Sequence, residues 1–130
     1  MTEELSTLDE HRRAIADILA FLSKHGLAGV MLSPDKIDGS PLGPRVFADL
    51  VRWLESEGVV RLWGSPVLSA GAFPKVQLTA VGLKILGLES PTSKGEKIES
   101  SLAKPSSPKI RAEIGEFVGR LLGGFANTQM

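Results

Sequence analysis

Pro44-Arg45-Val46-Phe47-Ala48-Asp49-Leu50-Val51-Arg52-Trp53-Leu54-Glu55-Ser56-Glu57-Gly58-Val59-Val60-Arg61-Leu62-Trp63 changes its hydrophobic period part-way along, and that change decides how the chain folds. Phe47, Leu50, Val51 and Leu54 recur at the i, i+3, i+4, i+7 spacing of a single helix face. Pro44 suits the first helical position, where a missing N–H is harmless, and Gly58 suits the left-handed residue that closes a helix. Val46 and Trp53 flank the stripe. Arg45, Asp49, Arg52 and Ser56 point outward, with Glu55 nearby. From Val59 to Trp63 the composition turns β-branched and aromatic, which predicts a strand. Gly64-Ser65-Pro66 breaks it, and Lys75-Val76-Gln77-Leu78 returns with Val76 and Leu78 on the face opposite Lys75 and Gln77. Thr79 then caps a short helix whose Leu83 and Leu86 cover the core. Pro44 to Gly87 therefore reads as helix, long-tipped β-hairpin, short helix.

Working outward to the N-terminus, Thr7 and Glu10 fit a capping box, with Thr7 as N-cap. Ile15, Ile18, Leu19 and Leu22 make one buried face, and Gly26 closes a helix predicted from about Leu8 to His25. Asp9 and Glu10 in the first turn and Lys24 in the last suit its dipole. Gly29 to Leu32 predicts a short strand, Ser33-Pro34 a helical turn, and Asp38-Gly39-Ser40-Pro41 a turn. Asp35 and Asp38 lack the further oxygen ligands of a calcium loop and read as solvated turn acids. His11 and His25 lie far apart along one helix axis, so they do not form a metal or catalytic pair; His25 suits the terminal carbonyls instead.

The run Phe47 to Val60 resembles the recognition helix and first wing strand of winged-helix (winged helix-turn-helix) regulators: a leucine-rich helix, an acidic pair, a glycine and a β-branched pair. Leu78-Thr79-Ala80-Val81-Gly82-Leu83 is similar to the Leu-Thr-x-x-Gly step that follows the wing in that superfamily. The resemblance covers roughly residues 8–87. It implies an α+β, mostly α, winged-helix domain over residues 1–88, with a small hairpin as its wing. It also implies a dimeric, sequence-specific DNA-binding regulator, with Arg45 and Arg52 entering the major groove and Arg61 and Lys75 touching phosphate from the wing base.

The outward residues point elsewhere. Asp49 lies between Arg45 and Arg52, and a carboxylate there repels the phosphate backbone. The wing tip, residues 64–74, contains no Lys or Arg and offers Val67, Leu68, Ala70, Ala72 and Phe73. A wing that grips DNA needs donors. Such a tip suits another protein surface, with Val67, Leu68 and Phe73 as the contact, or folding back on its own core. Residues 1–57 carry six bases against ten acids, and the positive excess lies downstream, largely at Lys94, Lys97, Lys104, Lys109 and Arg111. The formal net charge of the chain is zero, which gives no global pull toward nucleic acid or an anionic membrane.

Residues 89–110, rich in Ser, Pro, Lys and Gly, read as a flexible linker with room for a helical turn or two between Lys94 and Lys104. Residues 111–130 then form an apolar, glycine-spaced helix. Gly115, Gly119 and Gly123 fall on one face, among Ile114, Phe117, Val118, Leu121, Leu122 and Phe125. Each interior glycine costs a helix about 1 kcal/mol relative to alanine, so close backbone packing has to compensate. Two partners fit: a second copy, making Gly115, Phe117, Gly119, Leu122 and Gly123 an oligomer interface, or a groove of the same chain. The stretch is too short to span a membrane, and one arginine among acids is a poor membrane anchor.

There is no cysteine and no tyrosine, which removes disulfides and thiolate chemistry. No phosphate-binding glycine loop and no nucleophile elbow is present. The acidic N-terminus lacks the apolar run of a secretory signal. The expectation is a cytoplasmic, non-enzymatic winged-helix protein with no cofactor and no metal. It acts as an interaction or oligomerising module, with DNA-binding regulation as the competing reading.

Overall fold

The structure, a computed structural model, describes residues 6–37, 40 and 42–128, with side chains as far as Leu122. It is α+β and mostly helical. Among the described residues, no helix is long and apolar enough to cross a membrane.

Helix α1 (Thr7–Lys24) begins one residue earlier than the capping box places it. Ser6, not Thr7, is the N-cap, and its Oγ accepts from the Asp9 amide at 3.1 Å. Ser6 and Thr7 carry equivalent hydroxyls, and the spacing to Glu10 does not decide between them. His25 is the C-cap and Gly26 follows at φ +60°. Ile15, Ile18, Leu19 and Leu22 are buried as their spacing requires, but so are Ala14, Ala16, Asp17 and Ala20. The middle of α1 is therefore enclosed on most sides rather than on one.

Strand β1 (Val30–Leu32) leads into a 3-10 turn, Pro34–Lys36, with Ser33 ahead of it. Helix α2 (Pro44–Ser56) starts on Pro44 and buries Phe47, Ala48, Val51 and Leu54, while Gly58 turns the chain at φ +81°. Strands β2 (Val60–Trp63) and β3 (Phe73–Leu78) pair antiparallel, from Val60 opposite Leu78 to Trp63 opposite Lys75. β1 joins the other edge of β3, giving the order β1-β3-β2. Val76 and Leu78 face the core, as the alternation predicts. Pro74 has no N–H to give a ladder, and it falls beside the register shift between Val30 and Leu32 of β1.

Helix α3 (Ala80–Leu86) is capped by Thr79, whose Oγ accepts from the Gly82 amide at 3.2 Å and donates to the Val59 carbonyl at 3.0 Å. Its core side differs from expectation: Ile85 and Leu86 are buried and Leu83 is exposed. Thr79 and Gly82, seated over the Val59 carbonyl, fix the rotation of this short helix.

The predicted linker is folded rather than flexible, and the helical turn or two allowed between Lys94 and Lys104 is present. Residues 89–103 form a hairpin and a helix: β4 (Glu89–Ser90), β5 (Ser93–Lys97) and α4 (Ile98–Ala103). Pro91 and Thr92 make its turn, so the proline bends the chain instead of dissolving its structure. Ile98 and Leu102 anchor the unit in the core. Outside it, Glu96 accepts from Ser101 Oγ at 2.8 Å and pairs with Lys104. These bonds, the Lys104 one foremost, hold the Glu96 carboxyl below the ordinary range.

Helix α5 (Pro108–Thr128) opens at Ser107, whose Oγ accepts from the Ile110 amide at 3.2 Å. It runs antiparallel to α1, with Arg111 beside Asp17 and Gly115 against Arg12. Ile114, Val118 and Leu122 join the same hydrophobic cluster as α1, α2 and the sheet. The divisions predicted at residues 88 and 110 thus cut through one shared core.

Candidate interaction face and a buried charge cluster

The long β2–β3 tip is folded rather than extended. Gly64 turns out of β2 at φ +82°, a 3-10 turn spans Leu68–Ala70, and Gly71 returns at φ +62°. Val67 and Ala72 bridge across the base of this turn. A Cβ on Gly71 would lie 2.6 Å from the Pro44 carbonyl oxygen and 3.2 Å from Pro34 Cδ. The tip therefore rests on the start of α2, and no side chain fits between them.

This folding sorts the predicted contact residues. Val67 and Leu68 remain 55% and 41% exposed. Phe73, expected beside them, is 1% exposed and belongs to the core. As the first residue of β3, opposite Leu32, it starts the inward-facing set of that strand.

The four predicted DNA-contacting bases fall into two groups. Arg45 and Arg52 share a shallow depression with Asp49, Leu68 and Ser69, so the tip sits beside the outward face of α2. All three charged residues there are exposed, and neither arginine pairs with Asp49. Arg61 and Lys75 are elsewhere, on the outer face of the hairpin. Lys75 lies over the Trp63 ring, 5.0 Å from its centroid, in a cation–π contact between cross-strand neighbours.

The glycine face of α5 is divided as well. Gly115 touches the α1 backbone so closely that an added Cβ would overlap the Arg12 carbonyl oxygen and lie 2.9 Å from Arg12 Cα. Leu122 is buried and Phe117 is packed against the core. These three predicted oligomer contacts are used within the chain, because α5 packs along α1 and Gly115 lets the two backbones meet at Arg12. Gly119 meets nothing within 4 Å and lines an apolar groove with Leu8, Leu50 and Trp53. Gly123 lies in α5, but its surroundings are outside the described side chains.

A charge cluster that sequence reasoning missed ties the helices together. Asp17 is 5% exposed. Its Oδ1 accepts from Arg111 Nη1 at 2.9 Å, while Arg13 Nε lies 3.3 Å from Oδ2 without hydrogen-bond alignment. Arg111 also donates to the Leu102 carbonyl and to Ser106 Oγ, both at 3.1 Å. One guanidinium thus links α1, the end of α4 and the entrance to α5. Burial pushes the Asp17 carboxyl above its ordinary range, outweighing the pull of both arginines. The i, i+4 pair Arg13–Asp17 is visible in the sequence, and so are the alanines around it that predict a second buried face. Arg111, distant along the chain, has no such local signal.

Among the described residues, no three His, Asp or Glu side chains gather as metal ligands. No family model, curated protein or solved structure matches the chain.

Proposed function

We propose that the chain is a non-enzymatic, winged-helix-type interaction module that meets protein, a second copy of itself first of all, through the folded tip of its hairpin. The observation that carries this is the tip itself: Val67 and Leu68, uncharged and exposed, held rigidly against α2 by Gly71. Exposed apolar side chains on a pre-organised turn bind with little ordering cost. The order of α1, β1, α2, β2, β3 and α3 agrees with the winged-helix resemblance. One element departs from it. DNA readers of the helix-turn-helix type lay a first helix across the backbone before the recognition helix. Here, among the described residues, that place holds only the 3-10 turn at Pro34–Lys36. The tip also covers the beginning of α2, the end that a groove-reading helix inserts.

DNA binding is kept as a second reading because Arg45 and Arg52 are exposed and unpaired. Two measurements on the full chain separate the readings: light-scattering mass across a concentration series, and retention of a random duplex pool at low salt. The interaction reading expects a mass above the monomer that falls in Val67→Asp/Leu68→Asp, with unchanged thermal unfolding and no retained DNA. Retained DNA that washes off steeply with salt and is lost in Arg45→Glu/Arg52→Glu would overturn it. A monomer at every concentration would end the self-association form of the proposal.

A further inference from the structure

Between the C-terminal half of α1, the 3-10 turn and the entrance to α5 lies a cavity of about 440 Å³, within the size range of small-molecule sites. It shares no lining residue with the hairpin tip or the glycine groove. Four cations line it, Arg13, Lys24, Lys36 and Arg111, against one carboxylate among the described residues, Asp17. Arg111 is largely engaged, with Nη1 on Asp17, Nη2 on the Leu102 carbonyl and Nε on Ser106. Arg13 meets Asp17 Oδ2 through Nε at 3.3 Å, and neither lysine is engaged. Arg13 Nε is buried without a hydrogen-bond partner, and Lys24 and Lys36 form no hydrogen bond or ion pair, although Asp35 adjoins Lys36. Lys24 and Lys36 are exposed, so the net positive lining acts as a local field that draws an anion.

We propose that this cavity binds a small phosphate monoester, its head held by Arg13, Lys24 and Lys36 and its organic body lying against Phe21, Ile37 and Pro105. Charge selects the head. A phosphate monoester carries about −1.5 to −2 near neutral pH and three acceptor oxygens, which matches three cationic side chains better than a singly charged carboxylate does. The apolar walls select the body, since inorganic phosphate would leave Phe21, Ile37 and Pro105 uncovered. Asp17 does not defeat the site: Oδ1 accepts from Arg111, and Oδ2 is buried beside Arg13 Nε, out of a ligand's reach.

The test is calorimetric titration of the full chain with phenyl phosphate, inorganic phosphate and benzoate at one ionic strength. Phenyl phosphate should bind saturably and most tightly. Lys24→Ala/Lys36→Ala, at two exposed positions, should weaken it about tenfold with thermal unfolding unchanged. Lys84→Ala/Lys97→Ala, exposed lysines outside the cavity, should leave it unaltered. Absence of saturable binding, or binding indifferent to Lys24→Ala/Lys36→Ala, would overturn the site. Equal affinity for inorganic phosphate would overturn the organic body, and tighter benzoate would overturn the phosphate head.

Discussion

At Gly115 two helix backbones come together, and the hydrogen in place of a Cβ is what lets them. Gly115→Ala forces α5 off the Arg12 carbonyl, and there is no flexible side chain to yield. The expected loss is about 3 kcal/mol or more, read as a lower urea midpoint. Gly119→Ala meets nothing within 4 Å. It should stabilise the fold by about 0.5–1 kcal/mol through helix propensity alone, read as a higher urea midpoint. The two glycines are indistinguishable in a spacing argument, because only the partner backbone separates them. Asp17 makes a pH prediction. Its folded-state carboxyl is raised, by burial first, against the pull of Arg111 and Arg13 beside it. A group that holds its proton more tightly when folded stabilises the fold below its unfolded value, and that contribution is lost as pH rises through the folded value. The stability of the wild type minus that of Asp17→Asn should therefore fall with rising pH across the acid range and then level off. Asp35 and Glu96, both held low, act oppositely: their contributions are present above the unfolded values and are lost as pH falls through the folded ones. Asp17→Asn leaves these two intact, so their slopes cancel in the difference.

Among the elements, the unit from Glu89 to Ala103 shows how a polar stretch becomes structure. Its strands, Glu89–Ser90 and Ser93–Lys97, have no hydrophobic alternation, and a two-stranded hairpin of this kind is at best marginal alone. Ile98 and Leu102, fully enclosed at its end, hold it. Ile98→Ala or Leu102→Ala should each cost about 2–4 kcal/mol, and amide exchange of residues 93–97 should accelerate along with the loss. Two isolated apolar residues in a Ser/Pro/Lys-rich run read as incidental, because their significance depends on a cavity built by other elements. The Ser107-Pro108 step that opens α5 has the same form as Ser33-Pro34, yet its composition places it in the linker and the helix is expected only from residue 111, because proline there reads only as a breaker. The helix from Pro44 was legible to its first residue, because cap, stripe and closing glycine all agree.

For the molecule as a whole, α1 is the common support: α5 lies along it, α3, α4 and the sheet also touch it, and α2 shares its hydrophobic cluster. Removing residues 91–130 should therefore not release a folded domain. It would expose Ala14, Ala16 and Asp17 and take Ile98, Leu102, Ile114 and Val118 out of the core. The truncated chain should lack cooperative thermal unfolding by circular dichroism, whereas three independent segments would leave it intact. For the same reason, the self-association test rests on point changes at Val67 and Leu68 and not on shortening the chain.

The sequence by itself determined the local elements that carry their own signals: α1, α2, the β2–β3 pair and the Thr79 cap. There the hydrophobic period, cap residues and turn glycines act within a few residues of one another. It also made plain that the tip is apolar and that Asp49 interrupts the arginines of α2. The tertiary structure alone decided where α5 goes, that Phe73 faces inward while Val67 and Leu68 do not, and that Arg111 reaches Asp17. Each depends on groups far apart in the chain meeting a surface whose shape neither segment encodes alone. A glycine face, an apolar residue or a lone guanidinium has many possible partners until packing leaves only one close enough to satisfy it.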